Sequence, residues 1–142
     1  MKIKVYLSDE GYGHVVRQEA VIKELFKLRS DLDITIQTQE KIDVVKEKFG
    51  DSVSYIEKFN NIKTTKTLTG FLDIVETKKC FENYYKIFDK VVYSECKNFD
   101  YDMVISDSVP EAHEVARLNN VPSFGIFHFD WAWFCSKVYP EL

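Results

Sequence analysis

MKIKVYLSDEGYGHVVRQEAVIKEL, from Met1 to Leu25, reads as strand, turn and helix, and the rest of the chain repeats that alternation. Ile3, Val5 and Leu7 alternate with Lys4 and Tyr6, a period-two run that Ser8, Asp9, Gly11 and Gly13 bring to an end. From Val15 the spacing becomes helical: Val15, Val21 or Ile22, Leu25, Phe26 and Leu28 fall on one stripe, with Arg17, Lys23, Glu24 and Lys27 between them. Gly11 and Gly13 are expected to permit positive-φ turns and close approach of a ligand to the unpaired N–H groups of the first helical turn. His14 and Arg17 lie in that joint. The stretch is not a dinucleotide fingerprint, because Val16 stands at the third glycine of GxGxxG, and no GK[ST] follows for a phosphate loop.

Working outward, Asp33 to Thr38 (DITIQT) gives a second strand, and a helix from about Glu40 to Phe49 follows, with Gly50 just beyond its end. Val53, Tyr55 and Ile56 form a short third strand, and Asn60 to Thr69 reads as a loop. From Gly70 to Phe99 the apolar spacing is helical throughout. It predicts either one long helix or two with a break near Lys78 to Glu82, although neither Pro nor Gly marks a break. Asp102 to Ser106 (DMVIS) is near-continuously apolar, as a central parallel strand buried on both faces should be. Pro110 suits the start of a helix from Glu111 to about Leu118, capped by Asp107 or Ser108. Ser123 to Phe127 (SFGIF) is a fifth strand, and the aromatic segment HFDWAWFCSKVYPEL completes the sequence. This order predicts a doubly wound, Rossmann-like open parallel sheet with helices on both faces, formed as one domain over residues 1–142. Ligands bind such sheets at the carboxyl ends of the strands, where the strand order reverses. Neighbouring first and fourth strands bring the SDEGYGH and SDSVP turns face to face.

A chain of 142 residues can bury roughly two thirds of its unfolded surface. A net charge of −4 and a pI near 5.4 argue against a nucleic-acid surface, which needs a basic stripe. No apolar run approaches the roughly 20 residues needed to span a bilayer, and the N-terminus leads directly into a strand without a signal-peptide pattern, so the expected compartment is the cytoplasm. Cys80, Cys96 and Cys135 are widely spaced and contain no CxxC pair; they are read as reduced thiols, with neither a disulfide framework nor a metal site. No cofactor is implied. Aromatic residues make up 15% of the chain, enough that some are expected at a pocket or an interface.

If the two turns meet, His14 and Asp107 can pair, the carboxylate fixing the imidazole tautomer while the free nitrogen takes a proton from a bound hydroxyl. The structural alternatives are an N-cap role for Asp107 and a backbone-bonded loop role for His14. Arg17, one helix turn further on, can hold a carboxylate or phosphate or lie solvated on the surface. Ser106 and Ser108 can donate to a polar ligand, but no GxSxG elbow makes either a nucleophile. In the aromatic segment, Trp133 and Phe134 are read as core or docking surface, and His128, Asp130 and Trp131 as site residues, the tryptophan face being suited to stacking on a sugar ring. Glu111 and His113 are read as exposed helix positions.

GYGHxxR after the first strand, SDSVP after a central strand and the following FxxDWAWF together resemble the N-terminal half of GT-B glycosyltransferases, including the MurG-like and plant-type UDP-sugar transferases. The resemblance implies His14 as general base and Asp107 as its partner in an inverting, metal-independent transfer from a nucleotide-sugar to a hydroxyl acceptor. It also implies Arg17 in the same cleft, and the reading of the residues themselves adds Gly11, Gly13, Ser108, His128, Asp130 and Trp131 as substrate-binding positions. The C-terminal donor domain of that family has no counterpart in these 142 residues. The expectation is therefore a fragment, or a chain whose partner subunit supplies the donor half, inactive alone and able to self-associate through its aromatic end. Two other functions fit the same residues: a non-catalytic sugar- or protein-binding module, and one half of a GT-B-type sugar epimerase.

Overall fold

The computed structural model describes residues 1–58 and 62–140. Its elements are β1 (Lys2–Leu7), α1 (Tyr12–Leu28), β2 (Asp33–Thr38), α2 (Ile42–Phe49), β3 (Ser54–Glu57), α3 (Ile74–Cys96), β4 (Met103–Asp107), α4 (Glu111–Leu118), β5 (Ser123–Gly125) and α5 (Trp131–Val138). All strand pairs are parallel, in the order β3-β2-β1-β4-β5. The order reverses between β1 and β4, whose register sets Leu7 opposite Asp107. The loops after these two strands are thus adjacent, as the α/β rule requires of a ligand site.

β1 is buried on both faces, which the period-two reading of Lys4 and Tyr6 did not anticipate. Ile3, Val5 and Leu7 pack with Val15 and Ile22 of α1 and Val45 and Phe49 of α2. Tyr6 packs on the opposite side with Val104, Val109, Ala112 and Ala116. Lys4 is only 5% exposed; its Nζ lies 2.7 Å from Glu95 Oε2, and Tyr6 Oη donates to the same oxygen at 2.9 Å. Lys58 binds the other carboxylate oxygen. A buried lysine is tolerated here because a carboxylate from α3 answers it.

Several boundaries differ from expectation. α1 begins at Tyr12 rather than Val15, and Leu28 points to solvent at 80% exposure. Gly11 has φ −162°, extended backbone open to any residue, and Gly13 is helical without positive φ, so neither glycine is demanded by the turn. α3 is one unbroken helix of 23 residues. Asp73 caps it by accepting from the Glu76 amide at 3.0 Å. Of the expected loop, Asn60 and Asn61 lie outside the described residues; Lys66 and Leu72 pair as an isolated bridge near its end. β5 is shorter than SFGIF, ending at Gly125. The aromatic segment folds into α5, with Asp130 accepting from the Trp133 amide at 2.6 Å. Beneath it Phe81, Tyr84, Ile62 and Tyr139 form a third apolar cluster, joined by Trp131 and Phe134.

Candidate functional site

At the carboxyl edge of β4, Asp107 is fully enclosed, and four contacts converge on its carboxylate. His14 Nδ1 lies 2.6 Å from Oδ1, Arg17 Nε donates to Oδ2 at 3.1 Å, Gln18 Nε2 donates to Oδ2 at 2.8 Å, and Arg17 Nη2 binds Oδ1. α1 delivers all three partners from one face of its first two turns, at i, i+3 and i+4, which places them above the end of β4. Burial pushes the Asp107 carboxyl upward, but the hydrogen bonds from His14, Arg17 and Gln18 outweigh it and hold the group below the usual carboxylate range. An ionised carboxylate requires a donor at His14 Nδ1. The 3.0 Å approach of Arg17 Nη2 to the same nitrogen is then proximity without a hydrogen bond, since guanidinium has no acceptor. We assign the tautomer on this basis: Nδ1 carries the proton and Nε2 the lone pair.

His14 and Arg17 each keep 20% side-chain exposure. His14 lines a cleft of about 170 Å³ together with Ser8, Glu10, Thr64, Ser108, His128, Phe129 and Trp131. Three of the expected site residues, Ser108, His128 and Trp131, thus share a cavity with the histidine. Asp130 lies instead in a neighbouring, larger groove of about 470 Å³. Gly11 and Gly13 line neither; a Cβ at either would meet nothing within 4 Å. Arg17, expected to reach outward for a ligand anion, spends its fork on Asp107.

Asp107 and Ser108 do not cap α4. The turn is closed by Ser106, whose hydroxyl accepts from the Val109 amide at 3.1 Å and donates to the Val109 carbonyl at 2.6 Å, so Ser106 is not free for a ligand. Ser108 adopts φ +61°, a left-handed conformation that an ordinary side chain occupies at a cost, and its carbonyl accepts from Trp131 Nε1 at 2.8 Å. Trp131 packs edge-on against Phe81 at 5.3 Å and against Phe129 at 5.9 Å. It therefore ties α5 to the site as well as lining it. The loop edges are held by two acidic residues, of which the sequence reading took Asp9 only as a turn residue and passed over Glu10. Asp9 accepts from Thr38 Oγ1 at 2.6 Å and from the Gln39 and Glu40 amides, and Glu10 accepts from Thr64 Oγ1 at 2.8 Å and from the Thr64 amide.

Glu111 and His113 are not exposed positions. Glu111 is 2% exposed and accepts from Tyr84 Oη at 2.7 Å. His113 Nδ1 contacts Ser123 Oγ at 3.0 Å, and burial lowers its pKa. Gln18 was also missed. As an amide on an apolar helix face it was a visible anomaly, and the anomaly marks the carboxylate it serves. Among the described residues no group of three His, Cys, Asp or Glu side chains converges as a metal site, and no helix is long and apolar enough to cross a membrane.

No protein-family model matches the chain, and no curated protein matches it in sequence. Solved structures do share its fold. The glycotransferase of kitacinnamycin superposes with a TM-score of 0.65 at 12% identity, over 99% of this chain and 34% of that one. Phytolacca americana UGT2, complexed with UDP-2-fluoro-glucose and pterostilbene, gives 0.56 at 15% identity, over 89% and 30%. The C-terminal domain of a hydrogenase from Pyrococcus furiosus gives 0.52 at 18% identity, over 88% and 90%. The fold is the doubly wound Rossmann-like sheet. The chain spans 27–34% of the length of the glycosyltransferases it matches. Identities this low establish the architecture, and the hydrogenase domain shows the same sheet in a protein of another kind.

Proposed function

We propose that this chain is the acceptor-side domain of a GT-B-type inverting glycosyltransferase. The observation that carries the reading is the 2.6 Å contact of His14 Nδ1 with a buried, ionised Asp107 while the histidine ring lines an open cleft. In this mechanism an acceptor hydroxyl enters the cleft and gives its proton to His14 Nε2. Its oxygen forms a bond to the anomeric carbon of a nucleotide-sugar from the opposite face, and the bond to the diphosphate oxygen breaks, its electron pair leaving with the nucleotide. Asp107 holds the ring and stabilises the imidazolium. Arg17 and Gln18 keep Asp107 ionised and correctly turned. The donor is held by sequence beyond these residues or by a partner subunit, and the work is done in the cytoplasm.

The test is nucleotide release and sugar transfer by the protein as its gene encodes it. His14→Ala is expected to cut transfer by about 100- to 10,000-fold, the range of a general base, while donor affinity stays unchanged. Full activity in that variant removes His14 from the mechanism. A binding module is the second reading, favoured by one observation: the Arg17 guanidinium shares the Asp107 carboxylate with His14, so the anion has a structural partner besides the histidine. It predicts ligand affinity insensitive to His14→Ala and no transfer by the intact protein.

A further inference from the structure

The segment from Thr65 to Asp73 stands at the base of α3 as a short hairpin. Lys66 pairs antiparallel with Leu72, and the Thr67 amide donates to the Phe71 carbonyl at 2.8 Å. The Gly70 amide donates to the Thr67 carbonyl at 2.9 Å, closing a turn over Leu68 and Thr69 in which Gly70 takes φ +85°. The base is fastened to α3: the Asp73 amide donates to the Thr65 carbonyl at 2.8 Å, and the Thr65 amide donates to Oγ1 of the buried Thr77 at 2.9 Å. This tied hairpin turns its apolar side chains outward. Leu68 at the turn is fully exposed, Phe71 is 75% exposed, and Ile74 and Val75 at the start of α3 are each more than half exposed. We infer that the hairpin docks this protein on an anionic lipid surface, with Leu68 and Phe71 entering the acyl boundary and the neighbouring lysines meeting the headgroups. The inference stands without the transferase reading.

Charge around the hairpin selects this occupant. Between residues 63 and 79 the lysines Lys63, Lys66, Lys78 and Lys79 face only two acids, Asp73 and Glu76, so the stretch carries a net charge of +2 in a chain whose net charge is −4. Both acids are engaged, Asp73 in capping α3 and Glu76 with Lys79 at 2.5 Å. Lys78 and Lys79 follow Val75 by three and four residues, on the same side of the helix. Their stems can lie along apolar surface while the ammonium groups rise to lipid phosphates. Each basic residue beside an anionic leaflet strengthens binding about fivefold. The tip is also suited to an apolar medium. Its Thr67 and Gly70 amides are bonded within the hairpin, and the Thr67 and Thr69 hydroxyls pair with each other at 3.0 Å, so few polar groups lose water without a partner. A protein partner fits less well, because so narrow a turn offers far less than the roughly 800 Å² per side of a stable interface.

The experiment is co-sedimentation of this chain with vesicles of phosphatidylcholine alone and of phosphatidylcholine mixed equally with phosphatidylserine. The expected result is binding to the mixed vesicles that weakens at least about tenfold on phosphatidylcholine alone, and equally in about 1 M salt, where the screening length is about 3 Å. Leu68→Ser and Phe71→Ser, both at exposed positions where folding is checked by circular dichroism, are each expected to weaken binding about tenfold. Lys66→Gln should weaken it about fivefold on the mixed vesicles only. Leu28→Ser removes an equally exposed apolar side chain from α1 and should change nothing. Absence of binding to the mixed vesicles overturns the inference and leaves the hairpin to a protein partner. Binding indifferent to phosphatidylserine and salt, binding that survives both Leu68→Ser and Phe71→Ser, or an equal loss in Leu28→Ser overturns it as well.

Discussion

At the scale of single residues, Asp107 and Ser108 carry the strain and the charge of the site. Asp107 titrates below its unfolded value, so the stability it confers is fully present above the unfolded pKa of about 3.9 and is lost as pH falls through the lower folded value. Asp107→Asn should therefore remove part of the acid sensitivity of unfolding, read from urea midpoints between pH 7 and 3. Gln18→Leu leaves a buried carboxylate oxygen without one of its donors and should cost about 1–3 kcal/mol by the same urea assay. At Ser108, φ +61° penalises branched side chains most. Ser108→Val should destabilise by about 2 kcal/mol, whereas Ser108→Gly should leave stability equal or higher. A histidine, an arginine and an aspartate were each recognisable from the sequence as bearers of chemistry. What their spacing could not convey was that Arg17 and Gln18 serve Asp107, because that depends on which side of α1 faces the end of β4.

At the scale of elements, the parallel strands and the helices α1 to α4 were readable because each carries its own periodicity, and the switch point followed from their order. α5 was not readable. Its helix has no fully buried residue, so no stripe distinguishes it, and its formation depends on the Asp130 cap and on the cluster around Phe81 that Trp131 and Phe134 complete. Phe81→Ala should accordingly cost about 3–5 kcal/mol and loosen α5 before the sheet. Both tryptophans of the chain, Trp131 and Trp133, lie on α5, so a red shift of intrinsic emission at denaturant concentrations that leave far-UV ellipticity intact is the expected signature. The length of β5 was misjudged for a related reason, since an edge strand ends where pairing ends and pairing is a property of the neighbour; β3, the other edge, kept its expected length and moved by one residue to Ser54–Glu57.

At the scale of the whole molecule, acid stability has a second source in the buried cluster of Lys4, Tyr6, Lys58 and Glu95. Burial works against the Glu95 anion, but attraction to Lys4 and hydrogen bonds from Lys4, Lys58 and Tyr6 carry its pKa down to about 2. The stability it contributes is complete above the unfolded value of about 4.3 and drains away as pH falls toward 2; Glu95→Gln should flatten the stability curve in that window. That carboxylate also acts as a locating pin. Sliding α3 by a turn would strand an anion and a lysine among apolar side chains, so the helix has one permitted setting along the sheet. Tyr84 lies eleven residues before Glu95 on the same unbroken helix, about 16 Å away at 1.5 Å per residue. One wall of the groove, where Tyr84, Tyr85 and Phe88 of α3 line it, is thereby kept in place by a charge that does not line it, and a surveyor of this molecule would set the instrument at Glu95.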